Sequence, residues 1–568
     1  MLCKEIIAAE IAAKLPQVAV EDILSVIEVP KEKAMGDYAF PCFRFAKALQ
    51  KKPMEIAAEL VQTLSESTLF SKVQAVGPYL NMFIDPSWYA GHILQMYKDA
   101  AKDGREYGSS DEGNGKTVVM DYSSINVAKP FHIGHLRTTV IGNSISRILK
   151  FLGYKTVSIN YLGDWGTQFG KMVTAYRKWG SEEDEQKGVR GLLALYVRFH
   201  EEAEKDPSLN DEARAAFVAL EQGDEEALAL WRRFVDISLK EVQRVYKMLD
   251  VEFDSYLGES YFYSRTDSVV NELKEKGLLR ESEGAQIVDL EDAGMPPCLI
   301  LKSDGSTLYA TRDIASAFFR KEKYQFDTAL YITGLEQQLH FAQWFKVIDK
   351  MGYDWAKNLV HIPYGLVSLE SGKLSTRSGN VIFLEDILKE AIEKTKAIMQ
   401  EKNPDLEDMD TVAEEVGVGA VVFHDLFNNR IKDVTFSWDA VLNFDGETGP
   451  YVQYTYARAC SVLRKGQWNG DLSAANPADL TDEYAQEILH LLEEFPERVR
   501  EACRKWEPYV ITRYAVALAT SYNKFYHENM ILTAEGSLKE SRLALTQLMA
   551  ETLKKALYLI GVKAPERM

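Results

Sequence analysis

The chain has 568 residues, of which 46% are apolar and 27% charged, with a formal net charge of -19. That length exceeds a single domain, and the composition excludes a disordered, fibrous or membrane-spanning protein. Five cysteines lie far apart (Cys3, Cys42, Cys298, Cys460, Cys503), which argues against a disulfide framework or a zinc knuckle. The acidic total counts against a nucleic-acid binder without excluding one, since phosphate contacts rest on local Lys and Arg patches.

The opening MLCKEIIAAEIAAKLPQV alternates charged and apolar residues like an amphipathic helix and lacks the form of a secretion signal. No stretch reaches the apolar length of a membrane span, and a reducing cytoplasm is expected. Residues 1–110 read as a small mixed domain. Within it, PCFRFAKALQKKPMEIAAELVQTL (41–64) has helical spacing and VGPYLNMFID (76–85) reads as a strand. GREYGSSDEGNG (104–115) is polar and Gly-rich, a linker signal. GNGKT (113–117) resembles the end of a phosphate loop, but Ser110 stands where that pattern needs glycine. The segment also precedes a strand instead of following one.

TVVMDYS (117–123) reads as a buried strand. After NVAKPFHIGHLR (126–137) comes a helix with Leu136, Val140, Ile141, Ile145, Ile148, Leu149 and Leu152 on one face, which Gly153 is placed to stop. TVSINYLG (156–163) is the next strand. Strand, helix, strand makes a βαβ unit, which predicts a parallel sheet with a right-handed crossover. Residues 175–250 are charged and helical, an insertion of about 175–255. Strand signals return at AQIVDL, PCLILK, TALYIT and LVHIPYG, and from 410 onward the pattern is nearly all helical. The last helix carries Leu545, Leu548, Met549, Leu553, Leu557 and Ile560 ahead of Gly561, so a C-terminal helical bundle is expected.

The segment 126–137 lies between a strand and its helix, where open α/β sheets bind ligands. The helix start offers N–H groups and partial positive charge to an anion. Gly134 lets a flat ring or a phosphate approach the backbone. His132 and His135 each have a hydrogen bond to donate, and Lys129 adds a full charge. A triphosphate fits this set better than a metal, because no third ligand is nearby and helical zinc spacing is i, i+4. Taken alone, the motif reads as a capped helix with two partly buried histidines. A second polar segment, GKLSTRSGN (372–380), places Lys373 and Arg377 on a Ser- and Gly-rich loop, which by itself reads as an exposed turn.

HIGH (132–135) and KLSTR (373–377) together look like the two signatures of class I aminoacyl-tRNA synthetases. Longer strings narrow the resemblance to the arginyl-tRNA synthetases: SSINVAKPFHIGHLR (123–137), NYLGDWGTQFG (160–170), STLYATRDIA (306–315), GLEQQLHFAQWF (334–345) and TGPYVQYTYAR (448–458). The resemblance runs from end to end and includes the N-terminal domain and the closing PERM. It implies an α/β multidomain architecture. A small α+β domain (1–110) meets the tRNA elbow. A Rossmann-like parallel-sheet catalytic domain (111–390) holds the helical insertion, and an all-α helical bundle (391–568) binds the anticodon.

The implied reaction is activation of L-arginine with ATP, release of pyrophosphate, and transfer to the 2′-hydroxyl of the terminal adenosine of tRNA(Arg). Activation is expected to depend on bound tRNA, in a monomer. Mg2+ comes with ATP, without a dedicated protein metal site. By the resemblance, His132 and His135 bind the triphosphate, Gly134 lies against the adenine, and Lys373, Ser375 and Arg377 belong to the loop that closes over the phosphates. The class loop has a second lysine where this chain has Thr376, so Lys129 is expected to supply the absent cation.

A guanidinium has five donors and no acceptor, so a selective pocket must supply carboxylates in the fork geometry that lysine cannot copy. The resemblance assigns Glu259, Tyr309 and Asp313 to that end, and Ser124, Asn126 and Gln337 to the amino and carboxylate ends of the substrate. Without it, Asp313 is an ordinary helix-start acid and Glu259 a solvated one. For the tRNA elbow the candidates are Arg44, Lys47, Lys51 and Lys52, which read equally as a solvated helix face. For the anticodon they are Tyr526 and Met568, where RYAVALATSYNKFYHEN (513–529) mixes aromatics with cations; one of Tyr522 and Tyr526 is expected to be core.

Three rival readings remain. A cytidylyltransferase would use the histidine motif alone, but such enzymes are small and lack the second loop. A non-catalytic RNA-binding paralogue is disfavoured by the intact His132, His135, Lys373 and Asp313. An enzyme for an apolar amino acid would leave two acids buried and unpaired.

Overall fold

The computed structural model describes residues 2–369 and 382–568. Twelve strands are present among them. β1 (Tyr38–Pro41), β2 (Phe70–Val76) and β3 (Tyr79–Ile84) form an antiparallel sheet in the order β1-β3-β2. β4 (Thr117–Asp121) and β5 (Lys155–Ile159) are parallel neighbours. β6 (Leu279–Ser282), β7 (Ala285–Val288) and β8 (Cys298–Leu301) make a separate antiparallel sheet. β9 (Thr328–Gly334) and β10 (Leu359–Tyr364) join β4 and β5 in a parallel sheet of order β10-β9-β4-β5. β11 (Val367–Leu369) pairs with β12 (Val434–Phe436), a strand inside the stretch whose pattern predicts helix nearly throughout.

The N-terminal domain corrects two expectations. The single helical pattern at 41–64 is interrupted. Pro41 closes β1, a 3-10 turn covers Cys42–Phe45, a short helix covers Ala46–Leu49, and a new helix starts at Pro53–Leu64. Gln50 at φ 54 ends the short helix, and Pro53, which lacks an N–H, suits the first position of the next. The polar stretch 104–115 is a packed connection and not a loose linker. Tyr107 donates its hydroxyl to the Leu492 carbonyl at 2.9 Å, and a Cβ on Gly108 would stand 2.7 Å from Phe495.

The parallel sheet is covered on both faces, which makes its strands near-continuously apolar. Because side chains alternate across a strand, Val118 and Met120 of β4 join Leu330 and Ile332 of β9 on one face. They pack there in one core with Leu136, Val140 and Ile145 of helix Ile133–Phe151. Val119, Ala329 and Tyr331 take the other face with Ile314 of helix Tyr309–Tyr324 and Trp344 of helix Gln338–Lys350. From β4 the chain runs outward to β5, and from β9 it runs outward the opposite way to β10. The strand order therefore reverses between β4 and β9, and the crevice at their carboxyl ends is where such sheets bind ligands.

The stretch expected to be helical, about 175–255, holds the helices Glu182–Gln186, Val189–Lys205, Ser208–Glu221 and Glu225–Leu249, with Thr167–Trp179 running into it. The C-terminal part is helical, with Met409–Leu426, Gly449–Gly466, Glu483–Lys505, Tyr509–Glu528 and Gly536–Leu559 as its long helices. Leu545, Leu548, Met549, Leu553, Leu557 and Ile560 are all buried there. Among the described residues no helix is long and apolar enough to cross a membrane.

Candidate active site

Helix Ile133–Phe151 opens just beyond the carboxyl end of β4, with His132 as its N-cap residue. The N–H of Gly134 donates to Nδ1 of His132 at 3.0 Å, and the N–H of His132 donates to Nδ1 of His135 at 3.2 Å. The ring centroids are 4.0 Å apart. A neutral ring whose Nδ1 accepts must carry its single proton on Nε2. Burial lowers the pKa of both rings. His135 is pushed down to about 3, first by burial and then by His132 and the Lys129 ammonium. The pair is therefore two neutral donors without formal charge, and formal charge facing an anion has to come from other residues. Gly134 has a steric reason as well, since a Cβ there would lie 2.8 Å from Cε1 and 2.9 Å from Nδ1 of His132.

The backbone leading into this motif is strained. Ser123 (φ 70), Ser124 (φ 43) and Ala128 (φ 59) all sit in the left-handed region, at a cost of about 1 kcal/mol or more each. The insertion holds two of them there, Ser123 and Ala128. The Ala128 N–H donates to Ser238 Oγ at 2.9 Å, and Ser123 Oγ is hydrogen-bonded to the Tyr246 hydroxyl at 2.6 Å. Strain that persists under such restraint clusters at working sites.

Lys373, Ser375, Thr376 and Arg377 lie outside the described residues. The chain that follows them returns to the motif. Phe383 bridges His132 across an isolated antiparallel pair, and the Leu384 N–H donates to the Phe131 carbonyl at 2.8 Å.

At the β4/β9 crevice lies a cavity of about 400 Å³ that brings together all six residues expected to hold the amino acid: Ser124, Asn126, Glu259, Tyr309, Asp313 and Gln337. Asp313, in the second turn of helix Tyr309–Tyr324, is within 2.7 Å of Nε2 of His340. Glu259 opens the short helix Glu259–Tyr263 and forms an ion pair with Arg312. Burial pushes the Glu259 carboxyl up to about 7, opposed by Arg312 and reinforced by Asp313 and Asp164. Ser124 donates its hydroxyl to Asp121 at 2.8 Å, and Asp121 is 2.7 Å from the buried Arg320 guanidinium. Tyr309 is 62% exposed at the rim. Asn126 bridges Gly163, where a Cβ would stand 2.5 Å from Asn126 Oδ1, so that approach needs glycine.

The expected RNA-facing residues are exposed except Met568, which is half-buried against Met399 and Val412. Arg44 and Lys47 are exposed beside Phe43, itself 44% exposed. Lys51 and Lys52 are ion-paired to Glu59 and Glu55 at 2.6 and 3.7 Å, exposed pairs that are worth little. Tyr522 is core and fully buried, whereas Tyr526 is 36% exposed. The Arg458 guanidinium lies 4.9 Å from the Tyr454 ring and 5.2 Å from the Tyr526 ring. Met568 lines, with Tyr454 and Arg458, a cavity of about 660 Å³.

Arg312, His340, Asp121, Arg320, Tyr454 and Arg458 carry no spacing signal that singles them out. Their importance comes from what they touch. Arg312 does stand next to Asp313 in YATRD, His340 lies in GLEQQLHFAQWF, and Tyr454 and Arg458 lie in TGPYVQYTYAR, so these four fall within the strings that carry the resemblance.

Residues 98–438 match the family described as tRNA synthetases class I (R), catalytic domain. Residues 2–84 match the arginyl tRNA synthetase N terminal domain and 452–568 the DALR anticodon binding domain. Over 566 residues the chain is 50% identical to the arginine–tRNA ligase of Alkaliphilus metalliredigens, covering 100% of this chain and 99% of that one. It is 52% identical over 559 residues to the arginine–tRNA ligase of Clostridioides difficile, with 98% of each covered. Its structure resembles the arginyl-tRNA synthetase of Thermus thermophilus with a TM-score of 0.80 at 27% identity, over 100% of both chains. The chain belongs to the class I arginyl-tRNA synthetases.

Proposed function

We propose that this protein is an arginine–tRNA ligase that activates L-arginine with ATP and charges tRNA(Arg), with activation depending on bound tRNA. In the first step an arginine carboxylate oxygen attacks the α-phosphorus, the bond to the β-phosphate oxygen breaks, and pyrophosphate leaves. In the second, the 2′-hydroxyl of the terminal adenosine attacks the acyl carbon and AMP leaves. The observation that carries the reading is the shared crevice: an acid-lined cavity stands at the carboxyl ends of β4 and β9, beside a helix start with two Nε2–H donors.

In this reading His132 and His135 donate to the phosphates, Gly134 admits the adenine, and Lys129 supplies charge as the pyrophosphate develops. Lys373, Ser375 and Arg377 come from the loop and add to that cradle. Mg2+ travels with ATP and is part of that substrate. Asp313 and Glu259 select the guanidinium, with Tyr309 at the rim, while Ser124, Asn126 and Gln337 orient the reacting end. The chemistry needs positioning and charge stabilisation more than covalent help from the protein. Arg44 and Lys47 would meet the tRNA elbow, and Tyr526 and Met568 the anticodon loop, where exposed rings stack on unpaired bases.

Pyrophosphate exchange with arginine, measured with and without tRNA(Arg), tests this. Arginine-dependent exchange that appears only with tRNA is expected. Exchange at full speed without RNA would remove the tRNA dependence, and no exchange under either condition would remove the activity.

A further inference from the structure

The N-terminal domain meets the C-terminal bundle along one face of helix Glu483–Lys505. Pro496 lies inside that helix. It has no N–H, so the carbonyl of Leu492, four residues earlier, loses its helical partner. The Tyr107 hydroxyl, from the packed connection at 104–115, donates to that carbonyl at 2.9 Å. The next residue, Glu493, is a carboxylate only 8% exposed. Both of its oxygens are taken by N-terminal helices. The N–H of Cys3, the first residue of helix Cys3–Lys14, donates to Oε1. The Tyr89 hydroxyl, from helix Pro86–Lys102, donates to Oε2 at 2.6 Å.

The start of a helix carries partial positive charge and N–H groups without helical partners. Glu493 gives helix Cys3–Lys14 the capping acceptor that Leu2, at its N-cap position, lacks. Burial and then the Glu493 charge push the Tyr89 hydroxyl pKa up, which keeps it a neutral donor. With its one proton on Glu493, the Tyr89 oxygen accepts from Nδ1 of His490 at 2.9 Å. Gln486 extends the contact by another turn and donates to the Pro86 carbonyl at 3.0 Å. Residues 486, 490 and 493 share one face of their helix. Apolar packing is non-directional and tolerates sliding, whereas a buried carboxylate with two fixed donors allows one seating, because a shift leaves it unmatched.

Resting on the reading of Arg44 and Lys47 as the tRNA-elbow surface and of the bundle as the anticodon surface, we propose that Glu493 is a positioning residue for tRNA: it fixes the N-terminal domain on the bundle, so that both surfaces meet one tRNA at a set separation. A tRNA held at one surface then presents its other contact at a high effective concentration. A domain free to rock loses that gain, although neither surface has changed. Glu493 acts through the seating of the domain and makes no RNA contact of its own in this scheme.

The test is aminoacylation kinetics and RNA binding by the full chain, for the wild type, Glu493→Ala, Glu493→Gln, Tyr89→Phe, Arg44→Ala/Lys47→Ala, and that pair combined with Glu493→Ala. The probes are tRNA(Arg) and its isolated anticodon stem-loop, which reaches only one surface. Glu493→Ala should raise the KM for tRNA about tenfold, with kcat, the arginine KM and the stem-loop affinity unchanged. Glu493→Gln keeps one acceptor and should recover part of the loss. In the Arg44→Ala/Lys47→Ala background Glu493→Ala should add little, because the contact it positions is already gone. An unchanged tRNA KM in Glu493→Ala, an equal loss of stem-loop and tRNA affinity, or fully multiplying effects in the combined variant would each overturn the proposal. If Glu493→Ala does not fold, Tyr89→Phe decides: it removes one donor, keeps the ring, and should raise the tRNA KM while leaving stem-loop affinity intact. A wild-type tRNA KM in Arg44→Ala/Lys47→Ala would sink the reading of that surface as an RNA contact, and the proposal with it. A loss there beside an unchanged Glu493→Ala sinks only the role of Glu493.

Discussion

The ring of His132 lies against Gly134: it accepts that residue's N–H at 3.0 Å and occupies the space where a side chain would start. Elsewhere in a helix, Gly→Ala gains about 1 kcal/mol of propensity. Here the methyl group would displace the imidazole. Gly134→Ala should leave the melting temperature nearly unchanged while lowering kcat/KM for ATP by about tenfold or more, the loss that a misplaced phosphate donor brings. Thermal unfolding and exchange kinetics on the same sample check both halves.

His135 stays neutral because burial, then His132 and Lys129, hold its pKa down to about 3. The KM for ATP should therefore show no inflection from imidazole protonation between about pH 6 and about pH 8, the window in which an ordinary histidine titrates. The same shift has a stability consequence. The unfolded state binds the proton below its ordinary value of about 6.5 and the folded state does not, so this group costs stability as pH falls from there toward about 3. A titration of His135 by NMR, alongside the ATP profile, would contradict this if the ring protonated near neutrality.

Lys129 bears on the phosphate chemistry because the imidazole pair carries no formal charge. Removing one positive donor from a developing anion costs roughly 3 kcal/mol, about a hundredfold in rate. Lys129→Ala should slow activation by that factor with little effect on arginine binding. An activation rate equal to wild type, measured by single-turnover formation of the adenylate, would show that Lys129 does not replace the lysine whose place Thr376 takes.

Tyr522 and Tyr526 are one turn apart and should fail in different ways. Tyr522 is fully buried, so Tyr522→Ala should cost about 3 kcal/mol or more of stability, as large-to-small core changes do. Tyr526 is 36% exposed and next to Arg458. Tyr526→Ala should weaken tRNA binding by about tenfold, the value of one lost base stack, with the unfolding midpoint and the arginine KM unchanged. Equilibrium unfolding and a filter-binding isotherm separate the two.

Much of the site was legible before folding. The βαβ unit around β4 and β5 and the helix start at His132 follow from periodicity and motif spacing, whereas the acids at 259 and 313 were singled out only by the resemblance to the arginyl-tRNA synthetases. The N-terminal segment 41–64 was misread because a strand, a 3-10 turn and a short helix in succession imitate one helical face, and only Pro53 hints at the break. The packed connection at 104–115 looked loose because polarity and glycine say nothing about a neighbour such as Phe495, far away in sequence.

By itself, the order of residues determined most of the elements, the βαβ unit and the chemistry of the motifs, because helix and strand preferences act over a few neighbouring positions. Only the tertiary structure decided which charge meets which: Glu259 with Arg312 across 53 positions, Asp313 with His340 across 27, Asp121 with Arg320 under a closed core. Such pairs depend on how far burial raises the cost of an unmatched charge, and burial exists only once distant segments have packed.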